Sequence, residues 1–360
     1  MRRSVMQPLA TLVALLALIG AACSSDEEPA AEPGDGSVAG ESEVAGDGDA
    51  ADPAAETAGT PAPSPGCGAE LAVEAGESTV DLQSGGLDRW FVQYVPAAHD
   101  GVEPVPLVLD LHGYMEGASI HTAMSDMRAL GEQEGFAVVT PQGTGEIAYW
   151  NAARVEDLPD DVEFIAAVLD DVGQRLCIDE NRVYVTGLSN GAMMTSLLIC
   201  DLSDRIAAAA PVAGVAAIPE CDPERPVPTV AFHGTEDQFV TFDGSLGEGA
   251  MTLPVNEDTE RLAALAEAIK PIPEAVATIA ERNGCGPDFE ETQVSEHVRL
   301  RAFAGCPEGA EVLLYIVEGG GHAWPGSEVN GLIESITGPT TFEIDANEVM
   351  WEFFEAHPLS

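Results

Sequence analysis

Val183-Tyr184-Val185-Thr186-Gly187-Leu188-Ser189-Asn190-Gly191-Ala192 reads as a β-strand that delivers a serine into a tight turn at the start of a helix. The alternating apolar run before Ser189 suits a strand, and Ala192-Met193-Met194-Thr195-Ser196-Leu197-Leu198-Ile199 can pack as a helix against a sheet. Between them the pattern Gly-x-Ser-x-Gly leaves room for a strained strand-to-helix turn, which lifts the hydroxyl clear of the sheet and aims the helix N-terminus at whatever Ser189 meets. The pentapeptide alone also fits an ordinary glycine-rich turn. Its flanking strand and helix favour a nucleophile.

Strand and helix signals alternate on both sides of this turn, so the expected fold is α/β, with a mostly parallel central sheet and helices on both faces. Residues 87–95 alternate as an early strand, and 105–111 form a continuous apolar run of the kind buried on both sides. A helical stretch at 119–134 leads into a strand at 136–140. Asp160 and Asp161 then precede Val162, Ile165, Val168, Leu169, Val172 and Leu176, whose three-and-four spacing makes one apolar helix face with acids at its positive end. Later strands are expected at 182–189, 206–212, 229–232 and 312–317, with a closing helix over 342–356. The segment 244–273, rich in glycine and proline around a short Leu/Ala-rich helix, breaks the rhythm and reads either as a cap or as a surface excursion.

The chain opens with Arg2 and Arg3, an apolar stretch from Leu9 to Ile19, and then Gly20-Ala21-Ala22-Cys23. Residues 1–22 read as a lipoprotein-type signal peptide, with Cys23 as the lipidated residue and the membrane reached through that anchor alone. Gly20 stands where a leucine is usual, which keeps cleavage by an ordinary signal peptidase open; both routes export the protein. Residues 23–66 are dominated by Ala, Gly, Pro, Ser, Thr, Asp and Glu and hold no aromatic or basic residue, so they read as a disordered acidic tether. Residues 67–360 suit one catalytic domain.

Cysteine usage agrees with an oxidising compartment. With Cys23 set aside, six cysteines remain and read as three disulfides rather than metal ligands, since neither CxxC nor HExxH occurs. Proximity in sequence pairs Cys200 with Cys221 and Cys285 with Cys306, leaving Cys67 for Cys177. No cofactor or metal is expected. The 62 acidic and 14 basic residues give a net charge of −48, which repels phosphates and makes nucleic acid an unsuitable partner. Such a field destabilises a compact state unless salt screens it, so adaptation to a saline habitat is expected.

A serine hydroxyl needs a base and a carboxylate that orients the base. The chain order Ser, Asp, His known from α/β-hydrolases is available here: Phe232-His233-Gly234-Thr235-Glu236-Asp237 follows one late strand, and Gly319-Gly320-Gly321-His322-Ala323-Trp324-Pro325-Gly326 follows the final one. Ser189, Asp237 and His322 are therefore the candidate triad, with Glu236 and Asp243 as rival acids. His112 and His233 read as turn-shaping residues, and His99, His121, His297 and His357 as loop or surface positions. The main-chain N–H groups of Asn190 and Tyr114 are candidate oxyanion donors. Trp150 and Trp324, in loops after strands, are candidates for the substrate pocket, with core packing as the alternative.

These residues together carry a family resemblance. Leu111-His112-Gly113, the Trp150 region with Asp160-Asp161-Val162, Cys177-Ile178-Asp179, Gly187-Leu188-Ser189-Asn190-Gly191-Ala192-Met193-Met194, Ala210-Pro211-Val212-Ala213-Gly214, His233-Gly234-Thr235 and Gly319–Gly326 resemble the bacterial polyhydroxybutyrate depolymerase and feruloyl esterase family of secreted α/β-hydrolases, over nearly all of 67–360. The resemblance implies an α/β-hydrolase fold and hydrolysis of carboxylic esters through an acyl-enzyme. Its nucleophile, acid and histidine fall on Ser189, Asp237 and His322. Ester substrates from plant cell wall or from polyester are then expected. A serine peptidase on the same fold and a non-catalytic ligand-binding lipoprotein are the other two readings.

Overall fold

Near-continuous burial along the central strands builds a sheet with two apolar faces. The computed structural model describes residues 60–68, 73–263 and 269–359; the expected signal peptide, Cys23 and most of the tether lie outside the described residues. The strands are β1 (Gly76–Ser84), β2 (Leu87–Val95), β3 (Val105–Leu111), β4 (Ala137–Pro141), β5 (Ile178–Leu188), β6 (Ala208–Val212), β7 (Thr229–Gly234), β8 (Phe289–Gln293), β9 (Val298–Phe303) and β10 (Val312–Val317). They form one sheet in the order β1-β2-β4-β3-β5-β6-β7-β10-β9-β8. From β4 to β10 each neighbouring pair is parallel, while β1 and β2 at one edge and β9 and β8 at the other are joined by antiparallel pairings. This is the expected α/β-hydrolase architecture.

The helices are α1 (Ala118–Ser125), α2 (Met127–Glu134), α3 (Asp161–Arg175), α4 (Asn190–Asp201), α5 (Glu257–Ala263), α6 (Ile272–Arg282), α7 (Glu328–Leu332), α8 (Glu334–Thr337) and α9 (Ala346–Glu355). Leu107, Leu109 and Leu111 of β3 join Val183 and Val185 of β5 in one core, shared with residues of α3, α4 and α6. Val108 and Tyr184, one residue out of step, face a second core built with residues of α1, α2 and α9. Each fully buried side chain of this size contributes about 1.5–3 kcal/mol. The start of α3 is set by Asp160, whose carboxylate accepts the Glu163 N–H, with Asp161 and Glu163 in the first turn and Arg175 in the last.

Four local expectations change. The stretch 119–134 is two helices, broken at Asp126, which takes a left-handed backbone (φ 46°). Residues 60–66 belong to the folded part rather than to the tether: the Ser64 hydroxyl accepts the Ile178 N–H and donates to Leu176 C=O, and Glu180 N–H bonds Ala62 C=O. The polar tether composition conceals this, because the main chain of β5 supplies the hydrogen bonds that a solvated segment would take from water. The antiparallel additions β1, β8 and β9 were not anticipated. The closing helix is shorter than expected and starts at Ala346, where Asp345 caps it.

All three expected disulfides are present: Cys67–Cys177, Cys200–Cys221 and Cys285–Cys306. The first fastens the beginning of the folded chain to the residue before β5.

Candidate active site

Ser189 ends β5 and opens α4 with φ 57° and ψ −115°, a conformation sparsely populated by residues other than glycine that costs on the order of 1–3 kcal/mol. Its surroundings enforce it. The Ser189 N–H donates to Val212 C=O (2.9 Å) and its C=O accepts the Met193 N–H (3.0 Å). A Cβ at Gly191 would collide with the carbonyl oxygens of Leu111 and His112, and one at Gly187 with that of Leu111, so both motif glycines let the end of β3 press against the turn. Asn190 is the first residue of α4, and its N–H has no intrahelical acceptor. The Asn190 side chain is occupied: Oδ1 accepts the Trp150 N–H (2.7 Å) and Nδ2 donates to Trp150 C=O (3.2 Å).

The loop after β3 carries the second expected oxyanion donor. His112 is buried; its Nε2 accepts the Gly143 N–H (2.8 Å), so its Nδ1 must carry the proton shared with Gly113 C=O (2.7 Å). Burial pulls this imidazole down to about 4, and it stays neutral. Met115, with φ 59°, donates its N–H to Ala148 C=O (2.7 Å), and the Tyr114 hydroxyl donates to Pro254 C=O (2.7 Å). Among the described residues the Tyr114 N–H has no acceptor. It and the Asn190 N–H are thus both unengaged at the ends of the adjacent strands β3 and β5, a disposition suited to a developing oxyanion.

His322 and Asp237 meet. His322 Nδ1 lies 2.7 Å from Asp237 Oδ2, while Asp237 Oδ1 accepts the N–H groups of Phe239 (2.8 Å) and Val240 (3.0 Å). Burial would raise the Asp237 carboxyl, but the charge and hydrogen bond of His322, then His233 and the Phe239 N–H, hold it below the ordinary carboxylate range. The rival acids stand apart: Glu236 is exposed, and Asp243 is bonded to the Thr241 hydroxyl (2.6 Å). His233 is buried with Nε2 donating to Val240 C=O (2.8 Å), and burial lowers its proton affinity. Its turn-shaping role fits these contacts. No hydrogen bond links Ser189 Oγ to His322 among the described residues; both residues follow parallel strands at their C-terminal ends, where such contacts tighten on substrate binding.

Neither candidate pocket tryptophan is open to a substrate. The Trp150 indole is fully buried, donates Nε1–H to His112 C=O (2.9 Å) and packs on the His112 ring. The Trp324 indole is 1% exposed, donates to Asn347 Oδ1 (2.9 Å) and meets His121 edge-on. Core packing is their role, because each indole N–H finds its acceptor inside the protein. His99 and His121 are also buried rather than superficial: His99 Nε2 accepts the Cys177 N–H (3.1 Å), and His121 lies between Asp110 and Glu116. Sequence reasoning missed Phe239, whose ring lies 4.9 Å from that of His322, although an aromatic two residues past the acid was a usable signal. Within the segment 244–273 two described stretches lie against the site, through Pro254 and through the N–H groups of Gly247 and Gly249 on Phe239 and Gln238 C=O.

Known proteins resemble this chain in sequence and in fold. Residues 123–223 match the prolyl oligopeptidase family. The chain is 27% identical over 235 residues to feruloyl esterase B of Piromyces equi, covering 63% of this chain and 41% of that protein. It is 30% identical over 244 residues to the "Putative esterase NocK" of Nocardia uniformis subsp. tsuyamanensis, covering 64% of this chain and 69% of the relative. A shorter stretch of 115 residues is 37% identical to poly(3-hydroxyalkanoate) depolymerase C of Paucimonas lemoignei, 30% of this chain and 28% of that one. The chain therefore spans less than half the length of some of these relatives. Among solved structures, an acetyl xylan esterase from Aspergillus awamori superposes with a TM-score of 0.51 at 16% identity, over 71% of this chain and 98% of that one, a likeness of fold.

Proposed function

The chain belongs to the feruloyl esterase and polyhydroxyalkanoate depolymerase-like family of α/β-hydrolases, and from that premise we propose that it is an exported serine esterase acting on carboxylic esters. The observation that carries the reading is the 2.7 Å contact between His322 Nδ1 and Asp237 Oδ2, made on the same edge of the sheet as the strained Ser189 turn. In this mechanism Ser189 Oγ attacks the ester carbonyl and gives its proton to His322 Nε2. The N–H groups of Asn190 and Tyr114 stabilise the tetrahedral oxyanion. Collapse expels the alcohol, which takes the proton from His322. Water, deprotonated by the same ring, then attacks the acyl-enzyme, and His322 returns that proton to Ser189 Oγ as the acid leaves. Asp237 holds the Nδ1–H and balances the imidazolium.

Hydroxycinnamoyl esters and short hydroxyalkanoate oligomers are the two substrate classes we assign, in line with the names of the relatives. Export through a signal ending at residue 22, with lipid attached to Cys23, completes the proposal; three disulfides support an oxidising destination. The match to the prolyl oligopeptidase family favours a second reading, a serine peptidase. The matched residues 123–223 contain Ser189 but neither Asp237 nor His322, so they support the nucleophile without separating ester from amide.

Labelling with a fluorophosphonate probe tests the reading, with Ser189→Ala as control and p-nitrophenyl acetate, methyl ferulate and a peptide amide as substrates. Labelling lost in the variant, with turnover of either ester and none of the amide, is the expected result. Turnover of the amide alone would establish the peptidase, and a folded protein that does not label would leave a ligand-binding scaffold.

A further inference from the structure

A charged cluster lies buried behind the loop that carries Tyr114. Asp110 sits within the apolar strand β3 and faces α1. Its Oδ1 lies 2.7 Å from His121 Nε2, and its Oδ2 accepts the Ser125 hydroxyl (2.6 Å). On the other side of the ring, His121 Nδ1 lies 3.1 Å from both oxygens of Glu116. Glu116 Oε2 in turn accepts the Gly113 N–H at 2.6 Å. Both ring nitrogens face carboxylates, which only accept, so both must donate and His121 is an imidazolium. Burial alone would strip that proton, but Asp110 and Glu116 push the ring up to about 10.

Two carboxylates and one imidazolium in a core are weak evidence of stability, since well-packed apolar groups of the same volume often do as well or better. The cluster therefore calls for another role, and its open end shows where. Apart from His121, the Glu116 carboxylate bonds one group among the described residues, the Gly113 N–H. A Cβ built on Gly113 would lie 3.1 Å from Glu116 Oε2 and 3.7 Å from Ser189 Cβ. The main chain that Glu116 grips thus passes directly against the nucleophile, one residue before the Tyr114 N–H.

We propose that Glu116 is a positioning residue of the ester-hydrolysing site: clamped by His121 and Asp110, it fixes the main chain at Gly113 so that the Tyr114 N–H is held ready for the oxyanion. The inference rests on the esterase reading and assigns Glu116 no contact with substrate. A charge-assisted bond of this kind is about twice as strong as a neutral one, and a loop donor that drifts by a fraction of an ångström loses its hold on the oxyanion.

The test compares Glu116→Ala, Glu116→Gln and Phe354→Leu in the purified full chain, the last being a core change on α9 that reports loss of stability alone. Steady-state turnover of p-nitrophenyl acetate is measured beside the affinity for a trifluoromethyl ketone, which adds Ser189 Oγ to its carbonyl and leaves an oxyanion in the same place. Glu116→Ala is expected to lower kcat by about 10²–10³-fold with KM nearly unchanged, and to weaken ketone binding in parallel. Glu116→Gln, whose amide oxygen still accepts the Gly113 N–H, is expected to keep kcat within about tenfold of the wild type. Phe354→Leu should lower Tm without moving kcat. Wild-type kcat in folded Glu116→Ala overturns the inference. Where that variant does not fold, Glu116→Asp replaces it, one methylene short of Gly113, with the same two outcomes. A wild type that neither labels with fluorophosphonate nor turns over the esters overturns the esterase reading and the inference with it; a labelled wild type indifferent to Glu116 overturns the inference alone.

Discussion

Replacing Asp237 by asparagine should disable the enzyme while leaving the fold intact, and the structure gives the reason atom by atom. Asp237 Oδ1 accepts two main-chain N–H groups, from Phe239 and Val240, and Oδ2 receives His322 Nδ1–H. An asparagine has to place its carbonyl oxygen at the first position, because an NH2 there would face two donors. Its NH2 then occupies the second position and donates to His322 Nδ1. A ring nitrogen that accepts carries no proton, so neutral His322 is locked with its proton on Nε2, the nitrogen that must accept from Ser189. The loss expected from the wrong tautomer is about 10⁴-fold in kcat/KM at neutral pH, or about 5.4 kcal/mol at 1.36 kcal/mol per tenfold.

Asp237→Ala separates the two roles of the carboxylate. It leaves the Phe239 and Val240 N–H groups without an acceptor, at about 1–3 kcal/mol for each one that water cannot reach, so it should be the less stable variant. Urea unfolding beside p-nitrophenyl acetate turnover measures both. The acid limb gives an independent check. The Asp237 carboxyl is held below its unfolded value, so its contribution is present above that value and is lost as pH falls through the lower, folded one. Asp237→Asn should therefore soften the acid unfolding of the protein. Turnover of Asp237→Asn within tenfold of the wild type would falsify the assignment of this carboxylate.

His121 is raised to about 10 by Asp110 and Glu116, so its stabilising contribution is complete below about 6.5 and disappears as pH rises through 10; urea midpoints compared at neutral pH and at 10.5 should fall more for the wild type than for His121→Gln. Trp150→Phe removes the donor to a buried carbonyl and should cost about 1–3 kcal/mol of stability without altering the preference between acetate and ferulate esters; a changed preference would return the indole to the substrate pocket. Loop closure over 110 residues gives about 4.8 kcal/mol for Cys67–Cys177, against about 3.3 for the 21-residue Cys200–Cys221 loop, so the double serine variant of the first pair should have the lower urea midpoint. With 62 acids against 14 bases, the Tm should climb between low and molar sodium chloride, and a flat profile would speak against charge repulsion as a limit on stability.

The parallel strands were legible from apolar patterning, a nearly continuous run at β3 and an alternating one at the end of β5, and the Ser189 turn because only glycine fits beside the carbonyls of Leu111 and His112. The pairing of His322 with Asp237 was legible from chain order, since each stands just after a late parallel strand. The antiparallel additions were not: β8 is Phe-Glu-Glu-Thr-Gln, exposed along its whole length, and a strand with no buried face has no period to read. The tryptophans misled for the converse reason. A loop after a strand at this edge of the sheet can face a ligand or fold back on the core, and the acceptors that draw Trp150 and Trp324 inward, His112 C=O and Asn347 Oδ1, belong to other elements. Asp110 is hidden inside an apolar run, and His121 reads as a surface residue in sequence because its partners are 11 and five residues away on a strand and a loop.

Three buried charged groups each end on a loop near the C-terminal ends of the parallel strands. Asp237 holds His322. Asp110 and Glu116, through His121, hold Gly113. Asp161, paired with Arg89 at 2.9 Å under the Phe164 ring, accepts the Asn151 N–H (2.8 Å), next to the Trp150 main chain that binds the Asn190 side chain. A buried ion pair yields little net stability, yet removing one partner costs about 3–5 kcal/mol because the other charge is stranded. That asymmetry makes such pairs poor cement and good fixtures: they permit one arrangement and penalise its neighbours. A fourth buried acid, Asp179 at the opposite end of β5, pairs with Arg182 and accepts the Ala62 N–H, so it fastens the start of the folded chain instead. The first three groups reach the loops that carry His322 and Tyr114 and the Trp150–Asn151 loop that holds the Asn190 side chain, which are the places where a fraction of an ångström decides whether an oxyanion finds its donors.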